Sequence, residues 1–536
     1  MNYEKIGGIK LYRPQIPAEL VVREKVQRHL YSKYSIGEYK DKAQINEIIQ
    51  HQFSYYFTEL NRLIPLIARS DFLHFLLFQY DQTAEIDNLY KERALTPAED
   101  KRWGEIGPIM RRTIKYLAER SVLLYEERNS NPPVSQDALS QGLDFLWICA
   151  EETINLYLVS DQTYIVFPET TVLTILSPEN MKYVILDVTR HCELAADARR
   201  DTNNRERYVG KSQTTVIYDI REHDKAIGNA MRESIGISYL EAFGVLYQLI
   251  DHSEPAPDGF PILNIKKDYA INALSSALGL PYLAVEKTIE GFTIKKENML
   301  KEGREVWKPK QEHRAYRRGF FEVDHEGDKH LCFSRNMAKE CLIQLNSEIV
   351  FKQIPVEWRS PGVMKAVEVV SNKAGSWFEN IVFENFMTIN IPGLKSQKNG
   401  IGIGPERISI PLEVGEIDFI GYSPLEKILV LAECKLVRSG AEPKFFRDEI
   451  NDFILSKKSY LIKFNKKYTW VKDNLTAVCR ALDSAGVCGS VVEPEHLKTV
   501  IITHYPSVVQ CLIDTHPCVS LANFMSDYEH VGKWPY

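Results

Sequence analysis

GEIDFIGY, residues 415–422, and ILVLAECKL, residues 428–436, are the two stretches from which the fold of this chain is best predicted. Both are short runs of apolar residues that favour strands. The residues between them include a Ser-Pro pair and charged side chains, which are typical of a turn. The sequence therefore predicts a β-hairpin at this point of the chain.

Acidic side chains lie along this hairpin. Side chains alternate between the two faces of a strand, so Glu416 and Asp418 share one face, and the same rule places Glu433 and Lys435 together. Buried carboxylates need a counter-charge, hydrogen bonds or a metal ion, and converging oxygen ligands suit Mg²⁺. We expect Asp418 and Glu433 to hold Mg²⁺ or Mn²⁺, with the carbonyl of Cys434 as a further ligand. Glu416 is either a participant or a residue at the rim of the site.

The hairpin resembles a known family. Asp418, followed by Glu433-Cys434-Lys435 at the end of an apolar strand, is similar to the motif of the PD-(D/E)xK nuclease superfamily, which has the restriction-endonuclease-like fold. Ile417 stands where the proline of the motif would be, and the resemblance covers about the last third of the chain. It implies a Mg²⁺-dependent nuclease that favours DNA over RNA. In such a site Lys435 orients the attacking water or stabilises charge on the phosphate.

The resemblance also implies a helix that carries a glutamate. Residues 373–387 have helical spacing of apolar residues, and Glu379 is the candidate, with Glu384 in reserve. A helix over 443–470 and a strand over 496–503 are expected after the hairpin, in the order of the family's core. The alternative is that the Glu-x-Lys pair is only a charged pair on a solvated sheet face.

The rest of the chain predicts an α+β multidomain protein, since 536 residues are enough for several domains. The N-terminal region is expected to be largely helical, the middle mixed α/β and the C-terminal core restriction-endonuclease-like. Within the middle, the polar residues 198–207 are predicted to be an exposed loop, and residues 355–361 a linker. The predicted divisions are 1–160, 161–265, a winged-helix-like unit over 266–356, and a nuclease-like domain over 362–536.

Nucleic-acid contacts must come from local basic patches, because the net charge of the chain is −6. One candidate patch follows the hairpin, where lysines alternate with aromatic residues and no acid intervenes. A second is part of the stretch 304–318, for which a solvated face or a protein contact is an equal alternative. The candidate residues are Lys457, Lys458, Lys463, Lys466, Lys467, Arg314, Arg317 and Arg318.

The chain begins without a signal segment and contains no apolar run that could span a bilayer. We therefore expect a cytoplasmic protein with reduced thiols and no membrane partner. Paired cuts in duplex DNA would favour a homodimer, and a regulatory protein partner is an alternative. The combination of a nuclease with a long unrelated region resembles bacterial restriction and antiviral-defence effectors. Two other functions stay open: a non-cleaving nucleic-acid-binding protein and an interaction scaffold.

Overall fold

Helices form most of the chain and are accompanied by several small sheets, so the α+β class is confirmed. The computed structural model describes residues 2–67, 70–124, 136–161, 171–180, 183–187, 189–209, 219–251, 262–302, 312–325, 327–438, 443–488 and 492–536. The sequence YIVF, residues 164–167, also predicts a strand. This strand and most of the basic stretch before residue 312 lie outside the described residues. Within the described ranges, no helix has both the length and the apolar character that a membrane-spanning segment requires.

The chain divides into two compact units. The first contains the described residues of 1–160, 172–187 and 220–369, and the second those of 161–171, 188–219 and 370–536. The second unit thus combines most of the predicted nuclease-like domain, from residue 370 onward, with residues from the middle of the sequence. The finer division into four domains stays a prediction.

The first unit is mainly helical. Local side chains explain where its helices begin: Thr96 donates to Glu99 across 2.7 Å, and the amide of Glu99 donates back to the Thr96 hydroxyl at 3.4 Å, so the pair caps the helix that starts at Pro97. The sequence also predicts this start, because a proline followed by two acids, Pro97-Ala98-Glu99-Asp100, is typical of a first helical turn. The helices are Ile16–Tyr31, Lys42–Ile67, Ser70–Lys91, Pro97–Leu124, Gln136–Asp161, Ile220–Ile235, Tyr239–Asp251, Lys267–Leu278, Tyr282–Gly291, Lys296–Glu302 and Arg335–Glu348, with 3₁₀ turns at Ile349–Phe351 and Val356–Trp358.

Three small sheets belong to the first unit. Their strands are β1 (Tyr3–Ile6), β2 (Ile9–Tyr12), β3 (Gly37–Tyr39), β4 (Val172–Ile175), β5 (Val184–Asp187), β6 (Ile262–Lys266), β7 (Thr293–Ile294), β8 (Phe320–His325) and β9 (Asp328–Ser334). The sheet orders are β1-β2, β3-β4-β5 and β6-β9-β8-β7. The stretch 266–356, predicted to be a winged-helix-like unit, contains the hairpin β8–β9 and the helices Lys267–Leu278, Tyr282–Gly291, Lys296–Glu302 and Arg335–Glu348. Its classification as a winged helix stays a prediction.

Two segments differ from the sequence-based expectation. Residues 198–207 are not a loop but part of the helix Thr189–Tyr208, because charges spaced by one helical turn form pairs such as Arg205 with Asp201 at 3.1 Å. Residues 355–361 are not an open linker either. Trp358 in this segment is fully buried, and its indole Nε1 donates to the carbonyl of Lys287 at 3.1 Å.

The second unit is built on a five-stranded sheet with the order β10-β11-β12-β13-β14. Its strands are β10 (Gly393–Gln397), β11 (Ile417–Ser423), β12 (Ile428–Lys435), β13 (Leu497–Thr503) and β14 (Cys518–Ser520). The first three strands pair antiparallel, and β12, β13 and β14 pair parallel. The predicted hairpin is β11–β12, and the predicted later strand is β13, so both are confirmed.

Helices cover both faces of this sheet. They are Thr189–Tyr208, Pro361–Thr388, Pro443–Ile450, Tyr460–Asp473, Leu475–Ser484 and Leu521–Val531, with a π-helical turn at Asn451–Leu455 and 3₁₀ turns at Gly404–Glu406, Pro494–His496 and Val508–Cys511. The prediction of a single helix over 443–470 is therefore wrong. The first helical segment ends at Leu455. A new helix begins at Tyr460, where the hydroxyl of Ser459 accepts a hydrogen bond from the amide of Ile462 at 3.3 Å.

Alternation along the strands divides the core into two layers. Ile420 and Leu431 are completely buried against the layer that contains Phe464, on the helix Tyr460–Asp473. Phe419 and Val430 point to the opposite layer, which contains apolar residues of the helices Pro361–Thr388 and Leu521–Val531. Each fully buried side chain of this size contributes roughly 1.5–3 kcal/mol to folding. The sheet is therefore fixed from both sides, and so are the directions of its polar side chains.

Candidate active site

Two buried carboxylates face each other on adjacent strands. The register pairs Phe419 with Ala432, so the next residues, Asp418 and Glu433, are opposite one another on the face shared with Ile420 and Leu431. Asp418 is 7% exposed and Glu433 2% exposed. Side-chain alternation along the strands predicted this convergence.

Lys435 provides the first counter-charge. Its ammonium group lies 3.1 Å from Oδ2 of Asp418 and 2.7 Å from Oε1 of Glu433, and it donates to the carbonyl of Cys434 at 3.0 Å. Burial alone would lower the pKa of Lys435, but the two carboxylates outweigh this effect and raise it. The side chain is therefore a cation at all physiological pH values.

Lys467 provides a second counter-charge, although the sequence-based prediction placed this lysine at the nucleic-acid-binding surface. We predicted it to belong to an exposed lysine face, but it is only 5% exposed. Its ammonium group lies 3.3 Å from Oδ1 of Asp418 and 2.5 Å from Oε2 of Glu433. A sequence signal for this existed: Phe464, Lys467 and Val471 are buried at helical spacing on one face of their helix.

The environment of Asp418 favours its charged form. Burial by itself would raise the pKa of this carboxyl, but the charges of Lys435 and Lys467 and a hydrogen bond from the amide of Cys434 at 2.9 Å lower it. The two carboxylates and two ammonium groups together have no net charge. This neutrality allows four charged side chains to be buried in one place.

Glu379 lies at the edge of this cluster, on the helix Pro361–Thr388. The hydroxyl of Ser396 donates to its Oε2 at 2.7 Å, and the register places Ser396 opposite Asp418 on β10. The backbone of Ser396 has a φ of 53°, which is unusual for a residue other than glycine. Burial, and then the charges of Asp418 and Glu416, raise the pKa of Glu379. Glu384, the reserve candidate, is exposed.

Glu416 lies outside the buried cluster. Its side chain is 35% exposed, and its Oε2 is 3.6 Å from the ammonium group of Lys398. Of the two alternatives left open by the sequence, the position at the rim agrees with this exposure and with this contact.

A hard divalent cation fits the donor set at the cluster. Mg²⁺ is commonly held by one or two carboxylates, with water and substrate phosphate completing its shell. Asp418, Glu433 and the carbonyl of Cys434 could supply the protein ligands. Within the described ranges, no group of three or more His, Cys, Asp or Glu side chains is arranged as a metal site, so a bound ion would need water or phosphate ligands. The four oxygens of the two carboxylates all contact lysine ammonium groups.

The other lysines of the predicted patch are exposed. Lys463 and Lys466 are on the outer side of the helix Tyr460–Asp473, and Lys457 and Lys458 are in the turn before it. The ring of Tyr460 connects this surface to the cluster, because the ammonium group of Lys435 lies 5.1 Å from its centroid and that of Lys463 lies 5.6 Å from it. These four lysines could contact a phosphate backbone next to the carboxylates.

The three arginines predicted to bind nucleic acid have a different environment, within the first unit. Arg314 pairs with Glu119 at 2.7 Å, Arg317 with Glu348 at 2.6 Å and Arg318 with Glu357 at 2.8 Å. Arg318 is 2% exposed, and the side chains of the other two are also largely covered. Their guanidinium groups are already neutralised in the interior, so they do not form a surface for phosphates. We withdraw them from the candidate interface.

No protein-family model, curated protein or solved structure matches this chain. The resemblance to the PD-(D/E)xK superfamily therefore stays a prediction. It rests on the hairpin residues and on the site geometry described above.

Proposed function

We propose that the second unit is a metal-dependent nuclease that hydrolyses phosphodiester bonds, with DNA favoured over RNA. One observation carries this proposal: Asp418 and Glu433 converge, buried, on neighbouring strands, with the ammonium group of Lys435 within 3.1 Å of both. Paired acids beside a lysine can bind a divalent ion and act on a phosphate that the ion also contacts.

Each residue of the cluster has a distinct role in this proposal. Asp418, Glu433 and the carbonyl of Cys434 would hold Mg²⁺ or Mn²⁺. When bound, such an ion lowers the pKa of a coordinated water and neutralises charge on the phosphate. Lys435 would hold the attacking water or donate to a phosphate oxygen as its charge develops. Glu379, to which Ser396 donates a hydrogen bond, would orient further waters or support a second ion.

The substrate would approach over the exposed lysines next to the site. Lys457, Lys458, Lys463 and Lys466 supply local positive charge in a chain whose net charge is −6. The first unit would recruit substrate or regulate cleavage, alone or with a protein partner, and a homodimer would make paired cuts in duplex DNA. Restriction or antiviral defence is the biological role that this combination suggests.

A second candidate function follows from the charge balance of the cluster. Two carboxylates and two ammonium groups satisfy each other without a metal ion, as in a structural ion-pair network. This arrangement favours a protein that binds nucleic acid without cutting it, or a scaffold for a protein partner.

Cleavage assays distinguish the two functions. Labelled linear duplex, circular and single-stranded DNA and RNA are incubated with the full chain in Mg²⁺ or Mn²⁺. We expect cleavage that falls at least about 100-fold in Asp418→Asn and in Lys435→Met, since each removes a group that would contact the metal ion or the reacting atoms in this proposal. Glu384→Gln, an exposed change on the helix that carries Glu379, is the control and should cut normally. Cutting of circles identifies an endonuclease.

Two results would contradict the proposal. One is cleavage that survives in both site variants, which would place the activity elsewhere or in a contaminant. The other is metal-independent binding of nucleic acid without products under all of these conditions, which would favour the non-cleaving function.

A further inference from the structure

The acids and lysines of the cluster alternate in a closed ring. Lys435 bridges Oδ2 of Asp418 and Oε1 of Glu433, and Lys467 bridges the two remaining oxygens, Oδ1 and Oε2. Every carboxylate oxygen therefore already has a cationic partner. An incoming metal ion must compete with one of the two ammonium groups.

We propose that Lys467 is an internal counter-cation that occupies the metal position between Asp418 and Glu433, and that a divalent ion binds there only when this ammonium group moves away. The ammonium group lies 3.3 Å and 2.5 Å from the two oxygens. A Mg²⁺ ion bound to the same oxygens at about 2.0–2.1 Å would fill the same space. Lys467 and the ion therefore exclude each other.

The contacts of the two lysines indicate which of them moves. Lys435 has two contacts beyond the carboxylates, namely the carbonyl of Cys434 at 3.0 Å and the ring of Tyr460 at 5.1 Å. Within the described part of the chain, the hydrogen bonds of the Lys467 ammonium group are those to the two carboxylates. Lys467 comes from a helix that carries exposed lysines on its outer side. Its flexible four-carbon stem allows the ammonium group to swing toward solvent while the stem stays packed.

The charge balance of the ring also indicates that one ammonium group must leave when a metal ion binds. The ring is neutral, so a divalent ion added without any displacement would leave two uncompensated positive charges in a buried site. Release of Lys467 halves that excess, and the nearby carboxylate of Glu379 opposes the remainder. The lysine thus holds the carboxylates in place without a metal and weakens metal binding.

The test measures Mn²⁺ affinity by titration calorimetry on the full chain. Lys467→Met removes the competing charge and keeps the length of the stem, so we expect Mn²⁺ to bind at least about tenfold more tightly than to the wild type. Lys472→Met, an exposed change on the same helix, should leave the affinity unchanged. Unchanged or weaker Mn²⁺ binding by a folded Lys467→Met protein would overturn the inference.

A measurement on the wild type does not depend on the folding of a variant. The chain is treated briefly with an amine-acylating reagent, and the modification of each lysine is read by mass spectrometry. We expect Lys467 to be protected without metal and to be acylated faster in saturating Mn²⁺, whereas Lys435 stays protected. Protection of Lys467 that does not change with Mn²⁺ would refute the displacement.

The inference rests on the part of the proposed function that concerns metal binding. Tighter Mn²⁺ binding by Lys467→Met in a protein that cuts no substrate would support the counter-cation role and reject the nuclease. Cleavage by the wild type, together with a metal affinity that Lys467→Met leaves unchanged, would support the nuclease and reject the counter-cation role.

Discussion

Arg318 is a buried cation whose partners are all internal. Its guanidinium group donates to both oxygens of Glu357 at 3.0 and 2.8 Å, and to the carbonyls of Glu312, Glu290 and Thr293. Arg318→Met leaves the carboxylate of Glu357 without its bidentate partner, so we expect a loss of about 3–5 kcal/mol in the free energy of unfolding. Urea unfolding of the full chain, followed by tryptophan fluorescence, measures this loss.

The matched control for this variant is Lys287→Met, which removes an exposed cation from the same unit and should leave stability within about 0.5 kcal/mol of the wild type. A stable Arg318→Met protein with weakened nucleic-acid binding would restore the original interpretation of this residue as a phosphate contact.

Asp81 makes the stability of the first unit depend on pH. Burial raises the pKa of its carboxyl to about 6, although Ser334 donates to it at 2.6 Å. Because the pKa is higher in the folded state, the protonated form stabilises the fold below about pH 4, and this contribution is lost as the pH rises through 6. Two pKa units correspond to about 3 kcal/mol. Asp81→Asn should remove this part of the pH dependence.

Melting temperatures between pH 4 and pH 8 test this prediction. The wild type should lose stability relative to Asp81→Asn as the pH rises through 6. Asp71→Asn, an exposed change on the same helix, should follow the wild-type profile. Parallel profiles for the wild type and Asp81→Asn would exclude Asp81 as the source.

Single residues were predictable where local geometry decides their position. Asp418 and Glu433 follow from strand alternation, which acts over two residues. For Lys467 the helical spacing from Phe464 and Val471 was the local signal, but it did not decide the position, because the burial of Lys467 depends on carboxylates 34 and 49 residues earlier in the chain. A lysine without such partners is almost always exposed, which is why the sequence favoured the surface.

The helix Tyr460–Asp473 has two chemically different sides. Its inner side buries Phe464, Lys467 and Val471, while Lys463 and Lys466 are exposed. The double change of Lys463 and Lys466 to Gln should weaken nucleic-acid binding and reduce the slope of log affinity against log salt by about 1–2, because up to two phosphate contacts are lost. The melting temperature should not change.

Fluorescence anisotropy with a labelled duplex over a range of salt concentrations measures this slope. Lys533→Gln, which removes an exposed lysine elsewhere in the same unit, is the control. An unchanged slope in the double variant would mean that nucleic acid does not contact this helix.

The helix Thr189–Tyr208 shows what sequence patterns miss at the level of whole elements. Its polar second half resembles a solvated loop, because few apolar residues mark a buried side. Distant partners stabilise it instead: Arg205 donates to the carbonyl of His504 at 2.5 Å, and the carbonyl of Tyr208 accepts from Asn385 at 2.9 Å. Helices and strands with a clear apolar period, such as the hairpin β11–β12, were predictable for the opposite reason.

At the scale of the molecule, the second unit is assembled from separate parts of the sequence. Residues 370–536 alone lack the helix Thr189–Tyr208, whose Tyr208 packs in the same core layer as Phe386. We expect the fragment 370–536 to be less stable by at least about 3 kcal/mol than a chain in which residues 188–209 are joined to it by a Gly/Ser linker. Urea unfolding of the two fragments measures the difference, and equal stability would contradict it.

The distance in sequence between Arg205 and His504 also sets an order of events in the cell. The two hydrogen-bonded residues are 299 positions apart, which a ribosome translates in about 15–60 s at 5–20 residues per second. During that interval the helix Thr189–Tyr208 has left the ribosome before the sheet on which it packs has been made. The helical layers are complete only after translation has passed residue 531. The nascent chain therefore carries Asp418 and Glu433 before the helices that enclose them are all in place.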